Sequence, residues 1–381
     1  MNEFVVSFVY AAFFKKTKGD EFTLTGKQSG EDIRVTISDN AGGGLRGVRA
    51  TPSADLFQAV HDSYGINGLE NSIDLGGSSS LNLLVTDGQS RYVIRVYRPY
   101  VTEARLADIQ LARQELSAHG VPSSEVLSTL DGRQWIVFDG RLLEVERYVE
   151  SDTHMESFNH LMVGLPILGR VHTILREVQF SAEGRNPLFA NHIESQNAFG
   201  ITLRGTERIR RWGPSSDTLR LAGAAEELAR LVTAGERDLY PMLPRQMVHG
   251  DFWHNNVFFQ GGRVVLVTDL DFMGERARID DLALTLYYFA CSEEPVSRKR
   301  LGKLRRLIDA YDEGLDEHLS IAERSALPLA IARQPLWSIG GWIALLDDEE
   351  AARRHAAGML GEVVWALRIV RELGSWQAAF T

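Results

Sequence analysis

The stretch that decides how this chain folds reads H-G-D-F-W-H-N-N at residues 249–256 and V-V-L-V-T-D-L-D-F at residues 264–272. The first part places Asn256 five positions after Asp251, with a glycine directly before the aspartate. The second part is an apolar run that ends in an Asp-x-Asp pair beginning at Asp269. A short apolar run with polar flanks is typical of a buried strand. The pattern therefore predicts a loop that carries Asp251 and Asn256, followed by a strand that delivers Asp269.

The residue types in this pattern suit the transfer of a phosphoryl group. That chemistry needs a carboxylate to orient the attacking hydroxyl, and further oxygen donors to hold magnesium on the nucleotide phosphates. Asp251 is the candidate catalytic base, and Asn256 and Asp269 are the candidate metal ligands, because magnesium prefers hard oxygen donors. His249 is expected to support the loop through hydrogen bonds. A surface loop that carries H-G-D by chance would not explain an aspartate at the end of the next strand.

The whole pattern resembles the aminoglycoside phosphotransferase superfamily, which also contains choline, fructosamine, methylthioribose and type II homoserine kinases. Its signature is H-G-D-x-x-x-x-N, a strand and I-D-x-[DE], and the resemblance extends over roughly residues 55–375. The resemblance implies an α+β, protein-kinase-like bilobal fold. It implies a small N-lobe, built from a five-stranded antiparallel sheet and one helix, and a larger, mostly helical C-lobe.

The same resemblance implies a function and its cofactors. The expected activity is ATP- and magnesium-dependent transfer of the γ-phosphoryl group to a hydroxyl of a small molecule, with GTP in place of ATP left open. An aminoglycoside-like antibiotic, homoserine and an amino alcohol all stay open as the acceptor. The alternative is a nucleotide-binding pseudokinase without turnover. The intact Asp251, Asn256 and Asp269 argue against that alternative.

Composition limits the partners and the compartment. The 381 residues are enough for two domains or lobes with a sizeable core, and the 44% hydrophobic and 24% charged fractions are ordinary for a globular protein. The formal net charge of −10 argues against a nucleic-acid partner and suits a cationic acceptor. No apolar run reaches the length of a membrane span, and the single Cys291 excludes an internal disulfide framework. We therefore expect a cytoplasmic protein that binds neither nucleic acid nor membrane.

The sequence divides the chain into three parts. Residues 1–53 hold most of the lysines and are predicted to be an N-terminal extension: a small β extension, a partly ordered arm, or sequence upstream of the natural start. Residues 54–150 are the predicted nucleotide-binding N-lobe. Residues 151–381 are the predicted helical C-lobe, with the catalytic loop and the metal and acceptor sites.

Periodicity and turn residues predict the individual elements. The predicted N-lobe elements are helices at 54–64 and 105–119 and strands at 72–75, 81–86, 91–97, 135–138 and 142–149. The predicted C-lobe helices lie at 161–175, 216–234, 281–289, 298–314, 320–345 and 349–373.

A glycine- and serine-rich turn, G-G-S-S-S at residues 76–80, joins the first two strands of the predicted N-lobe. Its glycines allow a close backbone approach, and the hydroxyl groups of Ser78, Ser79 and Ser80 can meet phosphate oxygens. These three serines are therefore predicted to bind the nucleotide. A plain hairpin loop is the alternative.

Arg95 lies in a Y-V-I-R-V-Y run on the third predicted strand. An arginine between apolar neighbours is costly to bury unless it is paired, and the resembling family places its phosphate-binding Lys or Arg here. No lysine occurs between Lys27 and Lys299, so a cation on the phosphates in the core must be an arginine. A solvated strand face is the alternative. The hinge that would bond adenine is expected near Glu146 and Tyr148.

The acid that should pair with Arg95 is ambiguous in the sequence. The resemblance implies an acidic residue on the helix at 105–119, near Ile109. The nearest residues are Asp108 and Gln110, and Glu115 lies one to two turns further along.

Other polar residues have weaker interpretations. Asp271 would share a strand face with Asp269 if the backbone stays extended, and Asp281, in D-L-A, is interpreted as a helix cap and a brace for the loop. A zinc site at His249 and His254 is not expected, because no third ligand has suitable spacing.

The acceptor is not identified by the sequence. The acidic run D-D-E-E at 347–350 is interpreted as the first turn of a helix, which favours negative charge. Trp337 and Trp342 are interpreted as core residues.

Overall fold

The computed structural model describes residues 49–76, 80–187, 190–213, 215–291, 297–343 and 349–381, together with the backbone of 22–28 and 31–37. The structure divides into two compact units, each described by itself below. The first comprises Met1–Glu103 and Glu125–Tyr148, and the second comprises Ala104–Ser124 and Val149–Thr381.

A separate hairpin lies near the start of the first unit. Strands β1 (Phe22–Gln28) and β2 (Glu31–Ile37) pair with each other in antiparallel register. A small β extension is one of the three alternatives predicted for residues 1–53, and strands β1 and β2 are compatible with it.

The main body of the first unit is a five-stranded antiparallel sheet with one helix. The elements are α1 (Ala54–Tyr64), β3 (Ile73–Asp74), β4 (Leu81–Asp87), β5 (Ser90–Val96), β6 (Ile136–Phe138) and β7 (Arg141–Arg147). The strand order is β3-β4-β5-β7-β6. Leu56 and Val60 of α1 share a core with Leu83 of β4, Ile94 of β5 and Val145 of β7.

The second unit is mostly helical. Its longer helices are α2 (Glu103–Ala118), α3 (Phe158–Glu177), α5 (Ala198–Arg211), α6 (Ser216–Glu236), α7 (Arg278–Ala290), α8 (Arg298–Glu313), α9 (Ile321–Trp337), α10 (Glu349–Arg371) and α11 (Leu373–Phe380), and α4 (Ala182–Arg185) is a single turn. Residues of α2 belong to this unit from Ala104 onward. In the part of the chain that the structure describes, no helix is both long and apolar enough to cross a bilayer.

Short strands flank the H-G-D loop. They are β8 (Thr153–His154), β9 (Arg245–Val248), β10 (Val257–Gln260), β11 (Arg263–Val267) and β12 (Gly274–Ala277). Strand β9 pairs with β12, and β10 pairs with both β11 and β8, all antiparallel. The loop at 249–256 therefore lies between strands that are held at both of its ends.

The structure confirms the predicted α+β fold, with its five-stranded antiparallel sheet and mostly helical C-terminal part. Several helices differ from the predictions, and the short α4 and α11 were not predicted. The helix expected at 320–345 ends at Trp337 and continues as a π-helical turn, Ser338–Ile343. Helix α5 was not predicted, because its buried positions include Thr202, Gly205 and Thr206, which give little apolar periodicity.

Candidate active site

The H-G-D loop turns sharply at Gly250. Its φ angle is +85°, and a Cβ atom added there would lie 2.1 Å from the carbonyl oxygen of Phe272. Left-handed backbone and close approach together require glycine at this position. The loop is therefore pressed against the turn that follows β11.

His249 is buried and ties the loop to the end of β11. Its Nε2 lies 3.0 Å from the carbonyl oxygen of Thr268, and its Nδ1 lies 3.3 Å from the backbone nitrogen of Asp251. The carbonyl can only accept and the amide can only donate, so Nε2 carries the proton. Burial lowers the pKa of His249 to about 4, which keeps the ring neutral. This geometry suits the supporting role predicted for His249.

Asp281 braces the loop from α7. Its two carboxylate oxygens accept a hydrogen bond from the backbone nitrogen of Gly250 at 3.0 and 3.1 Å, and Nε2 of His172 lies 3.1 Å from Oδ2. Burial alone would raise the pKa of Asp281, but the contact with His172 holds it below its ordinary value. The interpretation as a helix cap is wrong, because α7 already begins at Arg278 and its N-cap residue is Ala277.

One face of α7 contacts three residues of the loop, Gly250, Phe252 and Trp253. Thr285, one turn after Asp281, donates from Oγ1 to the carbonyl oxygen of Phe252 at 2.5 Å. Tyr288 follows three residues later, and its ring centroid lies 4.7 Å from that of Trp253. The spacing i, i+4, i+7 keeps the three side chains on one face of the helix. We call Asp281, Thr285 and Tyr288 the α7 face.

The Asp251 carboxylate is buried and receives two side-chain amides. Nδ2 of Asn191 donates to Oδ1 at 2.7 Å, and Nδ2 of Asn256 donates to Oδ2 at 2.9 Å. Burial first, and the Asp269 carboxylate second, raise the pKa of Asp251 to about 8. Asp269 directly follows Thr268, whose backbone nitrogen donates to the carbonyl oxygen of Asn256 at 3.0 Å. The structure thus brings Asp251, Asn256 and Asp269 together.

The orientation of the Asn256 amide follows from these bonds. Its Nδ2 also donates to the Asp251 carbonyl oxygen at 2.9 Å, so the Oδ1 atom is turned away from Asp251. The Asn256 carbonyl oxygen accepts from the backbone nitrogen of Thr268 at 3.0 Å, which fixes the residue against the end of β11. An oriented amide oxygen is a suitable hard donor for a divalent cation.

Asp269 has an unusual backbone. Its φ is +66° and its ψ is +60°, in the left-handed region, and a short 3₁₀ turn, Leu270–Phe272, follows directly. A residue other than glycine in this region carries strain of about 1–3 kcal/mol, and such strain concentrates at functional sites. The backbone is therefore not extended here, and the expectation that Asp271 shares a strand face with Asp269 is wrong.

Arg95 of β5 is buried beside an acid that was not predicted. Only 7% of Arg95 is exposed, so the solvated strand face is wrong. Glu144 of β7 stands directly opposite Arg95 in the sheet register and is fully buried. The hydroxyl of Tyr97 donates to Oε1 of Glu144 at 2.6 Å, and the Arg95 guanidinium lies 5.2 Å from the Tyr97 ring centroid. Strand register, which the sequence alone does not give, places Glu144 opposite Arg95.

Asp108, one of the helix residues predicted as candidates for that role, has a hydrogen-bond partner in the second unit. The Asp108 carboxylate accepts from Oγ and from the backbone nitrogen of Ser181, at 2.5 and 3.2 Å. This contact lies within the second unit and ties α2 to the residues before α4.

The remaining predicted nucleotide residues all belong to the first unit. Ser80 is buried at the start of β4, whereas Ser78 and Ser79 lie outside the described residues. Glu146 is buried opposite Val93 in the sheet register. The backbone nitrogen of Tyr148 donates to the carbonyl oxygen of Arg91 at 3.0 Å.

A half-buried carboxylate on α10 was also missed. Glu362 accepts a hydrogen bond from the hydroxyl of Tyr287, and burial raises the pKa of Glu362 to about 7. Among the residues that the structure describes, no cationic side chain forms an ion pair with it. A glutamate on an amphipathic helix gives no sequence signal, because such residues are normally solvated.

The predicted acceptor-side residues are only partly described. Trp337 and Trp342 are half-buried rather than fully in the core. Asp347 and Asp348 lie outside the described residues, and Glu349 and Glu350 form the first turn of α10.

This fold, with its H-G-D loop and following aspartate, is that of a small-molecule kinase. The chain belongs to the phosphotransferase enzyme family, whose sequence profile matches residues 72–320. It is therefore a small-molecule phosphotransferase, and the predicted family resemblance is confirmed.

The relatives that are similar in sequence include two homoserine kinases. The chain is 26% identical over 283 residues to the homoserine kinase of Methylobacterium nodulans, covering 72% of this chain and 80% of the relative. It is 23% identical over 309 residues to that of Acidiphilium cryptum, covering 78% and 87%.

Solved structures share the fold. A microcompartment-associated aminopropanol kinase matches with a TM-score of 0.62 and 19% identity, over 84% of this chain and 99% of that one. A spectinomycin phosphotransferase in complex with ADP and its antibiotic matches with a TM-score of 0.53 and 14% identity, over 84% and 100%.

Proposed function

We propose that this protein transfers the γ-phosphoryl group of magnesium-bound ATP to a hydroxyl of a small, amine-bearing acceptor, with GTP left open as the donor. The observation that supports this most is the buried Asp251 carboxylate, which accepts hydrogen bonds from the amides of Asn191 and Asn256 and has Asp269 nearby. In the proposed arrangement residues 54–150 bind the nucleotide, and residues 151–381 carry the catalytic loop and the acceptor site.

Asp251 is the proposed base. Its carboxylate accepts the hydrogen bond of the acceptor hydroxyl and aligns that oxygen with the γ-phosphorus. The acceptor oxygen forms the new bond to phosphorus while the bond to the bridging oxygen breaks. Nucleoside diphosphate leaves, and the hydroxyl proton passes to Asp251. A positioned base of this kind contributes about 10²–10⁴-fold in rate.

Asn256 and Asp269 are the proposed magnesium ligands. The residues fit the ion, because the Asn256 amide presents its oxygen away from Asp251 and Asp269 supplies a carboxylate nearby. Bound magnesium supplies positive charge on the phosphates and beside the carboxylates, which favours their ionised forms.

On the nucleotide side, Arg95 is the proposed phosphate-binding cation. Its cross-strand neighbour Glu144, fixed by Tyr97, would orient the guanidinium as the acid of a Lys–Glu pair does in protein kinases. The loop of Ser78, Ser79 and Ser80 is proposed to approach the phosphates, and the backbone near Glu146 and Tyr148 is proposed to bond the base.

An amine on the acceptor is supported by the relatives and by a carboxylate. Two of the similar proteins are named after the acceptors homoserine and aminopropanol, and each of these molecules carries an amine and a hydroxyl. Glu362 is a half-buried carboxylate that accepts a hydrogen bond from Tyr287 and forms no ion pair with a cationic side chain among the described residues. The Trp253 and Tyr288 rings, tilted by 32° to each other, provide aromatic surface beside the loop, which favours a cation.

The test is ADP release from Mg·ATP against a panel of aminoglycosides, amino alcohols including homoserine and choline, and simple sugars. Acceptor-stimulated release that disappears in Asp251→Asn, with nucleotide binding retained, would support the proposal. Nucleotide binding without turnover for every acceptor would favour the alternative, a pseudokinase. Unchanged turnover in Asp251→Asn would remove Asp251 from the role of base.

A further inference from the structure

Asp251 is held from outside its own loop. Asn191, sixty residues earlier in the chain, donates from Nδ2 to Oδ1 of Asp251 at 2.7 Å. Asn256 holds the other carboxylate oxygen at 2.9 Å. A carboxylate bonded at both oxygens by donors on two different segments cannot rotate without breaking one of the bonds.

The segment that carries Asn191 is itself anchored. Nη1 of Arg333, on α9, donates to the carbonyl oxygen of Ile193 at 2.8 Å, and Arg333 is paired with the buried Asp280. The next residue, Glu194, accepts from the Tyr240 hydroxyl at 2.9 Å. The backbone after Asn191 is thus fixed by buried groups, which gives its side chain a defined position.

We propose that Asn191 is a positioning residue for the proposed phosphoryl transfer. An ionised carboxylate has about four lone-pair sites, and the two amides occupy only part of them. The bond from Asn191 sets the rotation of the Asp251 carboxylate, so that a remaining lone pair faces the acceptor hydroxyl. This role rests on the proposed function, because Asn191 acts through Asp251.

The experiment compares Asn191→Ala with the isosteric Asn191→Asp. A donor role predicts that kcat falls by about 10- to 100-fold in Asn191→Ala, since a small misplacement of a reacting group can cost about that much. Asn191→Asp should be slower still, because it keeps the shape but replaces the donor with a second acceptor. The Kd of Mg·ATP should stay unchanged in Asn191→Ala.

If Asn191 merely fills space, the order of the kcat values should be reversed: Asn191→Asp should be close to wild type, and Asn191→Ala should have the lower kcat. That order, or unchanged kcat in Asn191→Ala, would overturn the inference. Asn197→Ala, at an exposed position of the same segment, is the matched control and should retain full activity. Thermal unfolding identifies a variant that fails to fold, and Asn191→Leu, of similar volume, then replaces Asn191→Ala.

The two proposals fail in different ways. A wild-type protein that releases no ADP with any acceptor would refute the proposed function and this inference together. An active wild type with equally active Asn191 variants would refute the positioning role alone.

Discussion

Gly250→Ala tests whether the H-G-D loop depends on close contact with the turn after β11. The backbone at Gly250 has φ +85°, and an alanine in left-handed backbone costs about 1–2 kcal/mol. The added Cβ would also lie 2.1 Å from the carbonyl oxygen of Phe272, so one of the two segments must move. Overpacking of a tight site typically costs about 1–3 kcal/mol more. We expect a total loss of about 2–5 kcal/mol in the free energy of unfolding.

Gly262→Ala separates the two contributions. Gly262 has a similar φ of +77°, but a Cβ atom there would meet nothing within 4 Å. This control should therefore lose only about 1–2 kcal/mol and keep its activity. The difference between the two variants, measured by urea denaturation, reports the contact between the loop and the turn.

Activity gives the second readout of Gly250→Ala. Asp251 is the next residue, and a displacement of about 1 Å costs on the order of 10²-fold in rate. We expect the kcat of ADP release to fall by about that factor. A Gly250→Ala variant that matches Gly262→Ala in both stability and kcat would refute the reasoning.

Four other variants test separate parts of the molecule. Asp269→Ala should abolish magnesium-dependent nucleotide binding in titration calorimetry, and binding retained at low magnesium would argue against its role as a ligand. Glu144→Gln should weaken Mg·ATP binding by about 1–3 kcal/mol, the cost of an unpaired buried charge partner, and an unchanged Kd would contradict the proposed pairing with Arg95. Glu362→Gln should raise KM for an amino alcohol but not for the matching diol, and equal changes in both would exclude binding of the amine. His355 is half-buried, and desolvation lowers its pKa to about 4, so the unfolded chain binds the proton first as pH falls below about 6.5. The free energy of unfolding should therefore fall between about pH 6.5 and 4, with a loss of about 2 kcal/mol at pH 5. His355→Leu should remove that loss in acid denaturation curves. A substitution at the exposed His318 should leave the loss in place.

The sequence was sufficient for the architecture and for the loop. The five strands alternate strongly enough to be placed, and H-G-D with its following aspartate is specific enough to indicate the family. Helix α5 was missed because its buried face carries small and polar residues. The backbone of Asp269 was also missed, since an aspartate in left-handed conformation leaves no trace in the pattern.

Contacts between distant segments account for the other omissions. Glu144 could be assigned only once β5 and β7 were paired in register. Asn191 lies sixty residues from Asp251, in a segment with no periodic pattern, so only the folded chain brings the two together. The cap assigned to Asp281 was wrong because α7 begins one turn earlier than its apolar pattern suggests.

The α7 face has a consequence for engineering this enzyme. The α7 face, formed by Asp281, Thr285 and Tyr288, contacts a different loop residue at each position. The loop and the helix therefore form one structural unit that would have to be transferred together. A one-residue insertion early in α7 would turn the face by about 100° and release all three loop residues together. A chimaera that exchanges residues 249–256 with a relative should therefore exchange α7 as well, because the loop alone would lose its matching contacts with the helix.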